Sequence, residues 1–288
     1  CCKNCGMGPC RLPLPKGGIE GEDTRKGICG ATPNTIAARN FIRMIAGGAA
    51  AHSDHGRSVA EVFMSAARKE TDAYKIKDTR KLIEVAHWLG VDTTVEVDGK
   101  QLDRDIDEIA VEVGEKALNE WGKAEGELLF AKRAPEARYK LWKERGVVPR
   151  NIDREIVEIM HRTHIGVDQD YKNLMKQGTR AAIADGWGGS MLATDLQDIL
   201  FGTPYPVASE ANLGVMKEDM VNIVIHGHEP VLSEMIVAVV QTREMEEYAK
   251  SMGARGIQLS GICCTANEML QRHGVPLCGT FLQQELAI

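Results

Sequence analysis

The chain has 288 residues, is 43% hydrophobic and 5% aromatic, and carries a formal net charge of −6 at pH 7. That acidic balance argues against nucleic acid or an anionic membrane surface as a partner, and no run approaches the roughly 18 apolar residues needed to span a bilayer. Eight cysteines in a chain of this length, with no secretory-leader pattern at its start, read as metal ligands rather than disulfides, and they predict a reducing, oxygen-poor cytoplasm.

The first thirty residues hold five cysteines, in Cys1-Cys2-Lys3-Asn4-Cys5-Gly6-Met7-Gly8-Pro9-Cys10 and Lys26-Gly27-Ile28-Cys29-Gly30. Cys2, Cys5, Cys10 and Cys29 are spaced C-x2-C-x4-C-x18-C. Four thiolates suit zinc or an iron–sulfur cluster. A zinc ribbon would place a second C-x2-C knuckle downstream, and none is present. The small Gly6-Met7-Gly8-Pro9 loop allows backbone N–H groups to approach cluster sulfides, which favours a 4Fe–4S cluster. Cys1 is a fifth thiol with no partner in its own loop.

Thr32-Pro33 predicts a helix start, and Ile36, Phe41, Ile42 and Ile45 continue at helical spacing. Small residues at 46–51 allow another backbone to come close, and the helix runs to about residue 68. His52 and His55 lie three apart, on one helical face. Helices are further expected over residues 78–89, 105–121, 134–145, 154–163, 171–184 and 191–201, with one brief strand over 91–98. Gly186-Trp187-Gly188-Gly189 matches no complete phosphate loop. Cys278 sits in an apolar setting and reads as a buried small hydrophobe.

The pattern changes after Gly202-Thr203-Pro204-Tyr205-Pro206. Residues 220–225 form a β-branched run, followed by His226-Gly227-His228-Glu229-Pro230. Helices over 232–241 and 245–252 precede a second strand over 256–262, then Cys263-Cys264-Thr265 and a helix over 266–273. Strand, helix, strand and helix predict a βαβ unit with parallel strands. Sites in such sheets form beyond the carboxyl ends of the strands, where both His/Cys motifs fall. The expected architecture is α + α/β: a helical domain over 1–205 carrying the cysteine loop, then the first part of a Rossmann-like domain over 206–288. The chain opens inside a motif without Met and closes within a helical pattern over 282–288, as a fragment would.

CCxxCxxGPCR followed by KGICGA resembles the N-terminal cluster loop of the nickel-dependent, anaerobic-type carbon monoxide dehydrogenases. AHSDHGR, HGHEP, GICCTANE and TFLQQELA match the same family in the same order, so the resemblance covers the whole chain. It implies reversible oxidation of carbon monoxide with water to carbon dioxide, two protons and two electrons. The implied cofactors are 4Fe–4S clusters and a nickel–iron–sulfur cluster. Cys2, Cys5, Cys10 and Cys29 match the ligands of a 4Fe–4S cluster, and Cys1 a ligand of a cluster shared across a homodimer. One histidine of HGHEP and one cysteine of GICC match ligands of the nickel–iron–sulfur cluster; His228 and Cys264 are assigned, with His226 and Cys263 as alternatives. His52 matches the catalytic position and His55 the next step of a proton relay. Ser58 stands where some relatives continue the histidine series. A ferredoxin-like carrier is the implied electron acceptor, and the parent could be monofunctional or part of an acetyl-coenzyme A synthase assembly. The alternatives are a hybrid-cluster-type reductase of small nitrogen compounds and a simple electron-transfer or zinc-binding module.

Overall fold

A computed structural model describes residues 1–279. The expected helix over 282–288 and the TFLQQELA segment lie outside the described residues. The chain divides into two compact units, one of Cys1–Glu70 with Leu82–Asp195, the other of Thr71–Lys81 with the residues from Leu196 onward.

The first unit is built on α1 (Pro33–Ala67), a helix of 35 residues and thus about 50 Å long. Thr32 caps it, accepting the Thr35 N–H at 3.3 Å, and Pro33 occupies the first turn where its missing N–H costs nothing. There follow α2 (Thr79–Leu89), the hairpin strands β1 (Thr94–Val97) and β2 (Lys100–Asp103), α3 (Ile106–Gly122), α4 (Glu136–Arg145), α5 (Ile152–Arg162), α6 (Tyr171–Ala184) and α7 (Met191–Phe201). The boundary between the units falls within α2 and α7.

Helices α3, α5 and α6 all pack on α1. The buried face of α1 runs through Ile42, Ala46, Ala49, Ser53, Gly56, Ala60 and Phe63. Ile42 and Ala46 join Ile159 of α5 with Leu174 and Ala181 of α6 in one apolar cluster. Each large apolar side chain buried there contributes about 1.5–3 kcal/mol. The small residues serve close approach. A Cβ on Gly56 would lie 2.7 Å from the Trp121 ring and 3.0 Å from the Gly189 carbonyl oxygen, so α1 could not seat against α3 and the 185–190 turn with any side chain there.

The brief strand expected over 91–98 is present as β1, and it pairs antiparallel with β2, which the sequence reading left out, across Asp98-Gly99, whose φ angles are 51° and 73°. An Asp-Gly pair is a strong hairpin signal, but the strands are exposed on both faces, so no buried alternation marks β2. The glycine-rich stretch at 185–190 forms a π-helical turn that joins α6 to α7. Helix starts also differ: α8 (Pro230–Val240) begins at Pro230, and α10 (Cys263–His273) takes the cysteine pair into its first turn.

In the second unit β3 (Val221–His226) and β4 (Ile257–Ile262) are parallel, in register from Val221↔Ile257 to His226↔Ile262. α8 and α9 (Arg243–Ser251) connect them, giving the expected βαβ unit. Ile225, Val237, Met269 and Val275 form its core. Cys278 is fully buried, as its apolar setting predicts.

A charged network ties α5 to α6. Glu155 is fully buried and accepts from Arg150 Nε at 3.0 Å, Gln177 Nε2 at 2.7 Å and Arg180 Nε at 3.2 Å. Burial pushes its carboxyl up, but the hydrogen bonds of Arg150 and the charge of Arg180 outweigh this and hold it below the ordinary 4.5. A depressed carboxyl stabilises the fold fully above that ordinary value, and the contribution is lost as pH falls through the folded pKa. Stability against urea should therefore weaken as pH drops below 4.5. Glu155→Gln should flatten that acid limb and cost about 1–3 kcal/mol at neutral pH, because it leaves the half-buried Arg150 and Arg180 with Glu158 as their carboxylate partner. An acid limb of the same slope in both proteins would contradict this.

Candidate metal centres

The N-terminal loop folds back on itself. Cys2 N–H donates to the Cys10 carbonyl at 2.9 Å, and Cys10 N–H returns the bond at 3.0 Å. Asn40 of α1 donates from Nδ2 to the Cys1 carbonyl at 2.7 Å, and Gln169 Nε2 donates to the Cys29 carbonyl at 2.8 Å. These bonds place Cys2, Cys5, Cys10 and Cys29 around one pocket, with Asn4, Ile36 and Arg39 in its wall. Cys1 is exposed beside it.

Among the described residues, no three His, Cys, Asp or Glu side chains converge closely enough to hold a single metal ion. Two observations bear on what this pocket could hold. Asn4 Nδ2 and Arg39 Nε are buried without hydrogen-bond partners, and both residues line the pocket. Buried donors of this kind need an acceptor, which cluster sulfides would supply.

Arg39 is 1% exposed. Its Nη1 lies 3.4 Å from Cys29 Sγ, and its Nη2 donates to the Asp168 carbonyl at 2.5 Å. Burial pushes the Cys29 thiol up; hydrogen bonds from Arg39, from the backbone at Ala31 and Gly166 and from Gln169 outweigh it and bring the pKa from 9.0 to about 7.

His52 and His55 occupy successive turns of α1 in the first unit, His52 exposed and His55 half-buried. His52 Nδ1 is 2.8 Å from Asp185 Oδ1 and 3.4 Å from Ser190 Oγ. An ionised carboxylate only accepts, so Nδ1 carries the proton and Nε2 is left to exchange one elsewhere. Asp185 and Ser190 border the π turn, 133 and 138 positions from His52 in sequence, and no local pattern points to them.

In the second unit the two His/Cys motifs meet at the carboxyl ends of adjacent strands. Thr265, 1% exposed, donates its N–H to the Gly227 carbonyl and its hydroxyl to the Glu229 carbonyl, both at 3.1 Å. The turn carrying His228 is thereby fastened to the first turn of α10, which carries Cys264. His226, His228 and Cys264 lie toward solvent, and Cys263 is half-buried. Cys263 has φ 68°, a left-handed conformation uncommon for a side-chain-bearing residue, and it turns the chain out of β4.

A thiol-lined pocket on a helical unit, with His/Cys turns at the end of a parallel strand pair, defines an α + α/β chain with candidate inorganic-cofactor sites in both units. The model of the Prismane/CO dehydrogenase family matches residues 1–288, and the chain belongs to that family. It is 53% identical over 289 residues to carbon monoxide dehydrogenase 1 of Methanosarcina acetivorans, covering 100% of this chain and 44% of that protein. It is 46% identical over 291 residues to the carbon monoxide dehydrogenase/acetyl-CoA synthase subunit beta of Moorella thermoacetica, covering 100% of this chain and 41% of the relative. Among solved structures, the as-isolated, Ni-free carbon monoxide dehydrogenase of Thermococcus sp. AM4 matches with a TM-score of 0.89 and 52% identity, over 100% of this chain and 44% of the other. The chain thus spans less than half the length of the curated relatives it matches.

The electrostatics of Cys29 give a direct test. In the metal-free chain, alkylation of Cys29 should rise through a midpoint near pH 7, and in Arg39→Gln that midpoint should move up toward 9.0. Peptide mapping after pH-stepped iodoacetamide labelling measures both. A wild-type midpoint already at the ordinary value would show that Arg39 does not act on the thiol.

Proposed function

We propose that this chain is the N-terminal part of the catalytic subunit of a nickel-dependent carbon monoxide dehydrogenase, which oxidises carbon monoxide with water to carbon dioxide, protons and electrons. The observation that carries this reading is the end-to-end match to carbon monoxide dehydrogenases, with His52, His228 and Cys264 in the motifs that match the family. When bound, a nickel–iron–sulfur cluster would supply the redox centre at which the carbon changes oxidation state, and a 4Fe–4S cluster would relay the electrons.

Cys2, Cys5, Cys10 and Cys29 would hold the 4Fe–4S cluster. His228 and Cys264 would contribute to the nickel–iron–sulfur cluster, their spacing kept by the Thr265 bonds; the remaining ligands belong to the longer parent. Cys1, exposed beside the first pocket, would serve a cluster shared with a second subunit of a homodimer. His52 holds and moves protons. Its Nδ1 is held by Asp185, so Nε2 can accept a proton released by the reaction, and His55 on the next turn would pass it on. A ferredoxin-like protein in the cytoplasm would take the electrons. No helix among the described residues is long and apolar enough to cross a membrane.

Anaerobic reconstitution should load about four iron atoms per chain, on the stoichiometry of a four-cysteine cluster, and serine at Cys2, Cys5, Cys10 or Cys29 should reduce the load. Tight zinc uptake without iron would count against the reading. In the full-length protein, His52→Ala should lower turnover by roughly 10²–10⁴-fold, the range for loss of a general base, while nickel and iron contents stay at wild-type levels. His55→Ala should be milder. Full turnover in His52→Ala with metals retained would remove His52 from the proton path.

A further inference from the structure

Among the described residues, Arg39 is a buried cation without a carboxylate partner. It sits in the second turn of α1 and is 1% exposed. Among the described residues its partners are the Asp168 carbonyl at 2.5 Å and the Cys29 sulfur at 3.4 Å, and its Nε has none. A guanidinium stays protonated in any protein environment, and a buried charge is costly unless an opposite charge lies near. The network that could have neutralised it is committed elsewhere. Glu155 and Glu158 pair with Arg150, Arg162 and Arg180, and the Asp168 carboxylate lies 3.7 Å from Arg162. What faces Arg39 is the thiol-lined pocket.

We propose that Arg39 is the internal counter-ion of the group held by Cys2, Cys5, Cys10 and Cys29, and that its fixed charge sets the reduction potential of that group. The inference rests on the reading of these cysteines as ligands of a 4Fe–4S cluster. Four thiolates around such a cluster give an anionic centre, and one-electron reduction adds a further negative charge. A cation held at short range in a low-dielectric wall stabilises the reduced state more than the oxidised one. It therefore raises the potential. Anchoring on Asp168 and α1 keeps the guanidinium from swinging away as the charge changes. The hydrogen bond to Cys29 Sγ acts in the same direction, because donors to a ligand sulfur also raise cluster potentials. Asn4, whose Nδ2 is the other unpartnered donor in the wall, is neutral and supplies only a dipole.

The test compares the reconstituted 288-residue chain with Arg39→Gln and Arg39→Lys, by iron analysis and by anaerobic redox titration followed by electron paramagnetic resonance. With about four irons bound in each, Arg39→Gln should shift to a more negative potential by at least about tenfold in the reduced-to-oxidised ratio, 59 mV for one electron. Arg39→Lys should lie near the wild type, since it keeps the charge. Loss of iron from Arg39→Gln but not from Arg39→Lys also supports the inference, because the pair differs in charge. An unchanged potential in Arg39→Gln overturns it, as do equal shifts in both variants and loss of iron from both with helical circular dichroism intact. Failure of the wild-type chain to take up iron is a different result: it overturns the four-cysteine reading, and the counter-ion role with it.

Discussion

Close backbone approach along α1 is the constraint on which the first unit depends. Ala46, Ala49, Ser53, Gly56 and Ala60 leave a groove of almost no depth beside the helix axis. Trp121 of α3 and the Gly189 backbone fill it at Gly56. Packing at this distance lets the π turn at 185–190 reach α1, and the π turn is what brings Asp185 to His52. The same helix carries Arg39 near its start. The 13 positions between Arg39 and His52 amount to roughly 20 Å along the axis. The Arg39–Cys29 contact and the His52–Asp185 pair thus share one helical support, and in each the charged or protonatable group on α1 is carried by helix rather than loop.

The second unit follows a different logic. Its strands are short and half-exposed, so the pair gains less from burial than α1 does. Positioning comes from hydrogen bonds at the strand ends. Thr265 brackets His228 by bonding to the carbonyls on either side of it. The left-handed turn at Cys263 lets a helix begin at once after β4. Backbone strain of this type costs on the order of 1–3 kcal/mol and persists where the surroundings over-determine it, here through the strand pairing on one side and the Thr265 bonds on the other.

Much of this is legible in the sequence, and the gaps have physical causes. The long helices are clear because Thr32, Pro33 and the Ile36–Ile45 spacing give cap, start and period together. The four ligand-type cysteines announce themselves by spacing, and the βαβ unit by its change of hydrophobic period. β2 escapes a sequence reading because both faces of the hairpin are wet and its residues carry no alternation; the Asp98-Gly99 turn is the available signal. The π turn has no sequence signature that separates it from a glycine-rich loop. Asp185 escapes for the same reason, since its role exists only once that turn has formed. Arg39 is invisible because an arginine within an amphipathic helix reads as a solvated face. Its burial depends on the 166–169 segment closing over it from another part of the chain.

The unbroken helix between Arg39 and His52 also limits how this chain can vary over time. Each residue added to an α-helix rotates everything beyond it by about 100° and advances it by about 1.5 Å. An insertion or deletion between these two positions would therefore turn His52 away from Asp185, or Arg39 away from Cys29, whichever end stayed docked. Length changes are harmless in the exposed hairpin of β1 and β2, which touches neither site. Within α1 they act as a gear slipping one tooth, so this helix can drift in composition while its residue count stays fixed.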